Sequence, residues 1–145
     1  MPRRFFLILS GVALAALATA CLPREAKDPD QLYFAVEVTE GGSKVGAPKL
    51  VGFANHEVSV EKRPSENAEP EYQLMMVPRE EKGGYELSFK LWLPSGWKEG
   101  RLKLAHGEEA KLAMGDGIEL KVLLMRVDSP EFRLLMAERP AKLTI

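Results

Sequence analysis

The chain has 145 residues, 46% of them hydrophobic and 28% charged, with a formal net charge of −1 and a single cysteine. That balance excludes nucleic-acid binding through a basic stripe, and one cysteine excludes a disulfide-stapled fold. The length suits one domain with a core of its own.

The first twenty residues fall into three zones: a basic start at Arg3 and Arg4, an apolar run from Phe5 to Leu17, and the small residues Ala18-Thr19-Ala20. They predict a signal peptide over 1–20, cleaved after Ala20. The uncharged stretch from Phe5 to Leu22 barely reaches the roughly 18 residues of a membrane-spanning helix and ends in a cleavage pattern, which favours removal over a permanent span. Arg3-Arg4-Phe5-Phe6-Leu7 also looks like a twin-arginine signal, with Pro2 before the pair, so the export route stays open.

Leu17-Ala18-Thr19-Ala20-Cys21 resembles the lipobox of bacterial lipoproteins. The resemblance implies that the Cys21 thiol carries a diacylglyceryl group and becomes the new N-terminus, which makes the membrane the first partner. Ala18 stands where leucine, valine or isoleucine is usual, and Ala18-Thr19-Ala20 also suits the ordinary signal peptidase, which would leave Cys21 unmodified. A lone reactive thiol is awkward in an oxidising compartment, which favours lipidation. Leu22, rather than aspartate, follows Cys21; by resemblance to enteric lipoproteins this implies the periplasmic side of an outer membrane, where the source has one.

Loss of residues 1–20 removes Arg3 and Arg4 and no acidic residue, moving the net charge from −1 to −3. Both signs stay interspersed, as on a solvated surface. Residues 21–30, polar and carrying Pro23 and Pro29, read as the lipidated cysteine and a short tether.

Residues 31–145 predict an all-β domain, an antiparallel sandwich or small barrel. Leu32, Phe34, Val36 and Val38 alternate with Tyr33, Ala35, Glu37 and Thr39, the period of a half-buried strand. Tyr85, Leu87, Phe89, Leu91 and Leu93 alternate more cleanly with Glu86, Ser88 and Lys90. Further strands are expected over 49–53, 57–62, 71–77, 101–105, 109–114 and 117–127, separated by turn residues such as Gly41-Gly42, Lys82-Gly83-Gly84, Pro94-Ser95-Gly96 and Gly115-Asp116-Gly117. Asp128-Ser129-Pro130-Glu131 offers a helix cap with proline at the first helical position. Phe132, Leu135 and Met136 then share one helical face, although Phe132, Leu134 and Met136 would equally serve an edge strand.

Ala47-Pro48-Lys49-Leu50, Glu57-Val58-Ser59-Val60, Leu74-Met75-Met76-Val77-Pro78 and the alternating strand from Tyr85 to Leu93 together resemble the β-rich core of the secretin family. These are the outer-membrane pore proteins of secretion and pilus systems. The resemblance implies a proline-led strand, a short alternating strand, a strand leaving through proline, and a further hairpin strand. Glu61-Lys62-Arg63 replaces the glycine that usually closes the second strand, and the chain lacks the length of a pore former. What carries over is a β-topology and an envelope setting, with no pore. A fainter echo runs from Lys49-Leu50 through Val77 to Lys103-Leu104 through Met125, which any two amphipathic hairpins would produce.

No catalytic constellation is legible. Nucleophilic catalysis needs a nucleophile, a base and an orienting group. The only histidines are His56 and His106, both in expected turns, and no G-x-S-x-G elbow occurs. Glu80-Glu81 and Glu108-Glu109 read as solvated surface. Met75, Met76, Met114, Met125 and Met136 with His56 and His106 would suit cuprous copper, but without ligand spacing they read as core filling. No phosphate loop or dinucleotide fingerprint is present, so no cofactor is expected. Trp92 breaks the polar face of its strand, and Trp97 follows the Pro94-Ser95-Gly96 turn; the pair is the candidate partner surface. The competing reading buries Trp92 under a second sheet. The resulting expectation is a non-catalytic envelope lipoprotein that binds or scaffolds another envelope component. The alternative is an exported enzyme or copper-handling periplasmic protein.

Overall fold

The computed structural model describes residues 27–138. The expected signal peptide ending at Ala20, Cys21 and the first part of the tether lie outside the described residues.

Nine antiparallel strands and one helix follow in order: β1 (Gln31–Glu40), β2 (Ser43–Gly46), β3 (Lys49–Phe53), β4 (Val58–Lys62), β5 (Tyr72–Glu81), β6 (Gly84–Leu93), β7 (Gly96–Leu104), β8 (Glu109–Gly115), β9 (Ile118–Arg126) and α1 (Pro130–Ala137). Sheet A is ordered β2-β1-β9-β8, with β3 pairing the other half of the β1 edge that β2 occupies, and sheet B is ordered β4-β5-β6-β7. The chain therefore circles the domain in sequence order and closes where β9 pairs β1. The sheets meet at two corners, β3 beside β4 and β7 beside β8, where no ladder joins them. The result is a sandwich and not a closed barrel.

The alternation of the sequence maps directly onto the two layers. Leu32, Phe34, Val36 and Val38 of β1, with Leu120, Val122 and Leu124 of β9, face Leu74 and Met76 of β5 and Leu87, Phe89, Leu91 and Leu93 of β6, and all are buried. Tight hairpins hold the register. Gly41 and Gly42 in the β1–β2 turn, and Asp116 and Gly117 in the β8–β9 turn, all have positive φ, as a two-residue turn matched to strand twist requires. At α1, Ser129 Oγ accepts from the Phe132 N–H and proline follows at the first helical position, so the helical reading holds over the edge strand. The helix lies on the outer face of sheet A, with the Phe132 ring 5.2 Å from that of Tyr33.

Three expectations need correction. The strand expected to leave through Pro78 instead continues to Glu81. In a strand the nitrogen and oxygen of one residue point to the same side, and the Pro78 oxygen accepts from the Asn55 N–H on the β4 side. Pairing with β4 stops at Met76, so the missing proline N–H removes no ladder bond. The strand expected from Arg101 starts at Gly96, which places Trp97 within β7 rather than in a loop. Of the methionines expected to fill the core, Met76 is buried and Met114 packs against the core, whereas Met75 and Met125 sit on outer faces and Met136 is exposed on α1.

Candidate functional site

The domain has two distinct ends. The start of β1, the β5–β6 turn, the end of β9 and α1 gather at the end where residues 27–30 lead into β1, called proximal below. At the distal end lie the β6–β7 turn, the start of β5 and the β8–β9 turn.

Trp92 and Trp97 are distal. In the β6–β7 hairpin Trp92 pairs directly with Trp97, and across β5 it pairs with Gln73. Directly opposed residues share a face, and because Leu91 and Leu93 point into the core, both tryptophans lie on the outer face of sheet B. Trp92 is half-buried and Trp97 is 53% exposed. Trp92 is therefore not covered by the second sheet. The hairpin turns through Pro94-Ser95 and closes at Gly96, whose φ of +124° suits glycine. Beneath this corner Lys98 reaches Asp116 of the β8–β9 turn at 2.5 Å, which ties the two sheets and holds the Asp116 carboxyl below its ordinary range.

Moving proximally, the same outer face opens into a groove of about 420 Å³ bordered by Glu57, Met75, Val77, Lys90, Glu99 and Arg101. Ser88, the smallest outward side chain of β6, makes the depression, and the Lys90–Glu99 pair at 3.6 Å separates it from the tryptophans. Apolar patches beside charges of both signs, next to two aromatic anchors, suit a protein surface better than a small reacting molecule.

The histidines and methionines do not converge. His56 follows β3, its Nδ1 2.9 Å from the Ala54 oxygen and its ring edge-on to Phe53. His106, between β7 and β8, accepts at Nδ1 from the Arg126 N–H at 2.9 Å; its proton is therefore on Nε2, which donates to Glu131 at 3.1 Å. Among the described residues, no group of three or more His, Cys, Asp or Glu side chains could hold a metal ion.

Sequence reading missed one proximal cluster. Asp30, Glu80, Tyr85, His106 and Arg126 line a polar cleft of about 330 Å³. Tyr85 donates to Asp30 Oδ2 at 2.6 Å, and Ala54 N–H donates to the Asp30 oxygen at 2.8 Å. Burial, then the Asp30 bond, pushes the Tyr85 phenol well above its ordinary value. The Glu131 carboxyl is held low by its own backbone N–H and then by His106. These bonds fasten Asp30 to sheet B and α1 to the β7–β8 turn, a proximal clasp. The only sequence signal was the position of Tyr85 at the start of an apolar alternation.

The chain matches no family model, and no curated protein or solved structure is significantly similar to it.

Proposed function

We propose that this is a non-catalytic lipoprotein of the cell envelope, anchored through Cys21, whose β-domain binds or scaffolds another envelope protein through the Trp92–Trp97 face. One observation carries this reading: the paired tryptophans occupy the outer face of sheet B at the end of the domain opposite Asp30, where the tether arrives. About seven residues of β6 at roughly 3.3 Å each separate Tyr85 from Trp92, close to 23 Å. An anchor at one end therefore leaves the aromatic pair facing outward. A half-exposed tryptophan beside a groove of mixed apolar and charged lining is the composition of an interface anchor. The likeness of residues 47–93 to the secretin core directs the search for a partner towards secretion and pilus assemblies.

Site-specific photo-crosslinking in intact cells tests the reading. A photoreactive phenylalanine analogue at position 97 should give one dominant protein adduct, and the same group at position 119, on the outer face of sheet A, should not. Equal adducts at both positions, or none at 97, would overturn it.

A further inference from the structure

The outer face of sheet A divides by polarity. Its distal half carries Glu37, Lys44, Lys111, Glu119 and Lys121, linked by ion pairs of 3.4 to 4.0 Å. The proximal half is apolar: Tyr33 pairs with Val51 and Met125, Ala35 with Leu123, and Gln31 with Phe53. Phe132 of α1 covers Tyr33. Val51 and Phe53 nevertheless remain 52% and 46% exposed, and α1, which packs over Tyr33 of this face through Phe132, carries exposed Leu134 and Met136. Solvent does not favour leaving several large apolar side chains of one domain uncovered.

The position of the tether identifies what covers them. Phe53 is the direct partner of Gln31, the first residue of β1, and Asp30 is fixed to Tyr85 and Ala54. Cys21 lies nine positions earlier, a reach of about 28 Å even when extended. A lipid on Cys21 therefore holds this end of the domain close enough for the apolar patch to reach the bilayer. Lys49 and Arg133 flank it and suit anionic headgroups, while Asp28, Glu131 and Glu138 oppose them.

We propose that the proximal half of the outer face of sheet A, centred on Val51, Phe53, Leu134 and Met136, docks onto the lipid bilayer and orients the domain with the Trp92–Trp97 face away from the membrane. The proposal rests on the Cys21 anchor and adds to it a defined face and depth. Apolar side chains of such a patch enter the headgroup boundary by about 5–10 Å.

The test uses the full chain purified from membranes, with Phe53→Trp introduced beside Trp92→Phe and Trp97→Phe, and circular dichroism confirming the fold. The protein is reconstituted into phosphatidylethanolamine–phosphatidylglycerol vesicles with and without acyl-chain-brominated lipid. Docking predicts that Trp emission at position 53 falls about twofold with brominated lipid, while the natural Trp92 and Trp97 emission of the parent chain stays unchanged. A chain that sediments with the vesicles without quenching at position 53 overturns docking and leaves the anchor standing. Shielding of position 53 from aqueous iodide without lipid quenching also overturns it, since a second copy or residues 139–145 would then be the cover. An unmodified Cys21 together with failure to sediment removes both ideas.

Discussion

Gly100 sits at the middle of β7, opposite Phe89, on the face turned into the core. Its backbone does not lie in the left-handed region, so on conformation alone Gly100→Ala should stabilise the domain by about 0.4–1 kcal/mol through the unfolded chain. Packing reverses the sign. A Cβ there would come within 2.5 Å of Phe89 Cζ and 3.1 Å of Leu112 Cδ2, and Phe89 is buried with little room to turn. Overpacking of this kind costs about 1–3 kcal/mol. With an unfolding entropy of about 0.23 kcal/mol/K for roughly 110 residues, the melting midpoint should fall by about 4–13 °C. The assay is thermal and urea unfolding by far-UV circular dichroism on the chain beginning at Pro23. Phe89→Leu in the same background should recover part of the loss, with a coupling of about 0.5–3 kcal/mol. An unchanged or raised midpoint for Gly100→Ala would refute the packing of Phe89 into the space that glycine leaves.

Other consequences follow from the proximal clasp and the proposed anchor. Tyr85→Phe should cost about 1–2 kcal/mol at neutral pH by removing the donor to Asp30. Because the folded phenol is held above the unfolded value of 10, its stabilisation is complete below pH 10 and is lost as pH rises further. The parent chain should therefore lose stability above pH 10 more steeply than Tyr85→Phe, and parallel pH profiles would contradict this. His106→Ala should cost about 0.5–1.5 kcal/mol, since it removes the acceptor of the exposed Arg126 N–H and the donor to Glu131, whereas His56→Ala, at an exposed turn, should stay within about 0.5 kcal/mol; denaturant midpoints compare the two. Mass spectrometry of the mature N-terminal peptide should find a diacylglyceryl group on Cys21, and Cys21→Ser should release the chain from membranes.

Much of the fold was legible because many core positions follow strict alternation. β6 and β1 could be read directly, β3 matched residue for residue, and the Ser129-Pro130 signal offered α1 beside an edge strand. The failures have local causes. The inward positions in the first half of β7 are Gly96, Lys98 and Gly100, so the strand has no apolar period there; the neighbouring Phe89 ring fills the space at Gly100. Proline normally ends a central strand, but Pro78 lies beyond the last rung with β4, a fact of pairing rather than of sequence. β2 is four residues long and too short to show a period. At the candidate site, Trp92 stood out by breaking its polar face. Its pairing with Trp97 was hidden because the start of β7 was hidden, and the bond of Tyr85 to Asp30, 55 residues away, had no local signal at all.

The Trp92–Trp97 pair, half-buried at Trp92 and exposed at Trp97, is proposed to hold a partner and not the core. Its most direct test compares Trp97→Ala with the parent chain in two readings on the same preparation: the melting midpoint, and recovery of the crosslinked partner from detergent-solubilised envelope. Loss of an interface anchor of more than about 1 kcal/mol corresponds to at least a fivefold drop in affinity. The account predicts that drop in recovery with a midpoint shifted by no more than about 4 °C. Unchanged recovery, or a loss of stability near the 3–5 kcal/mol of a buried tryptophan, would contradict it.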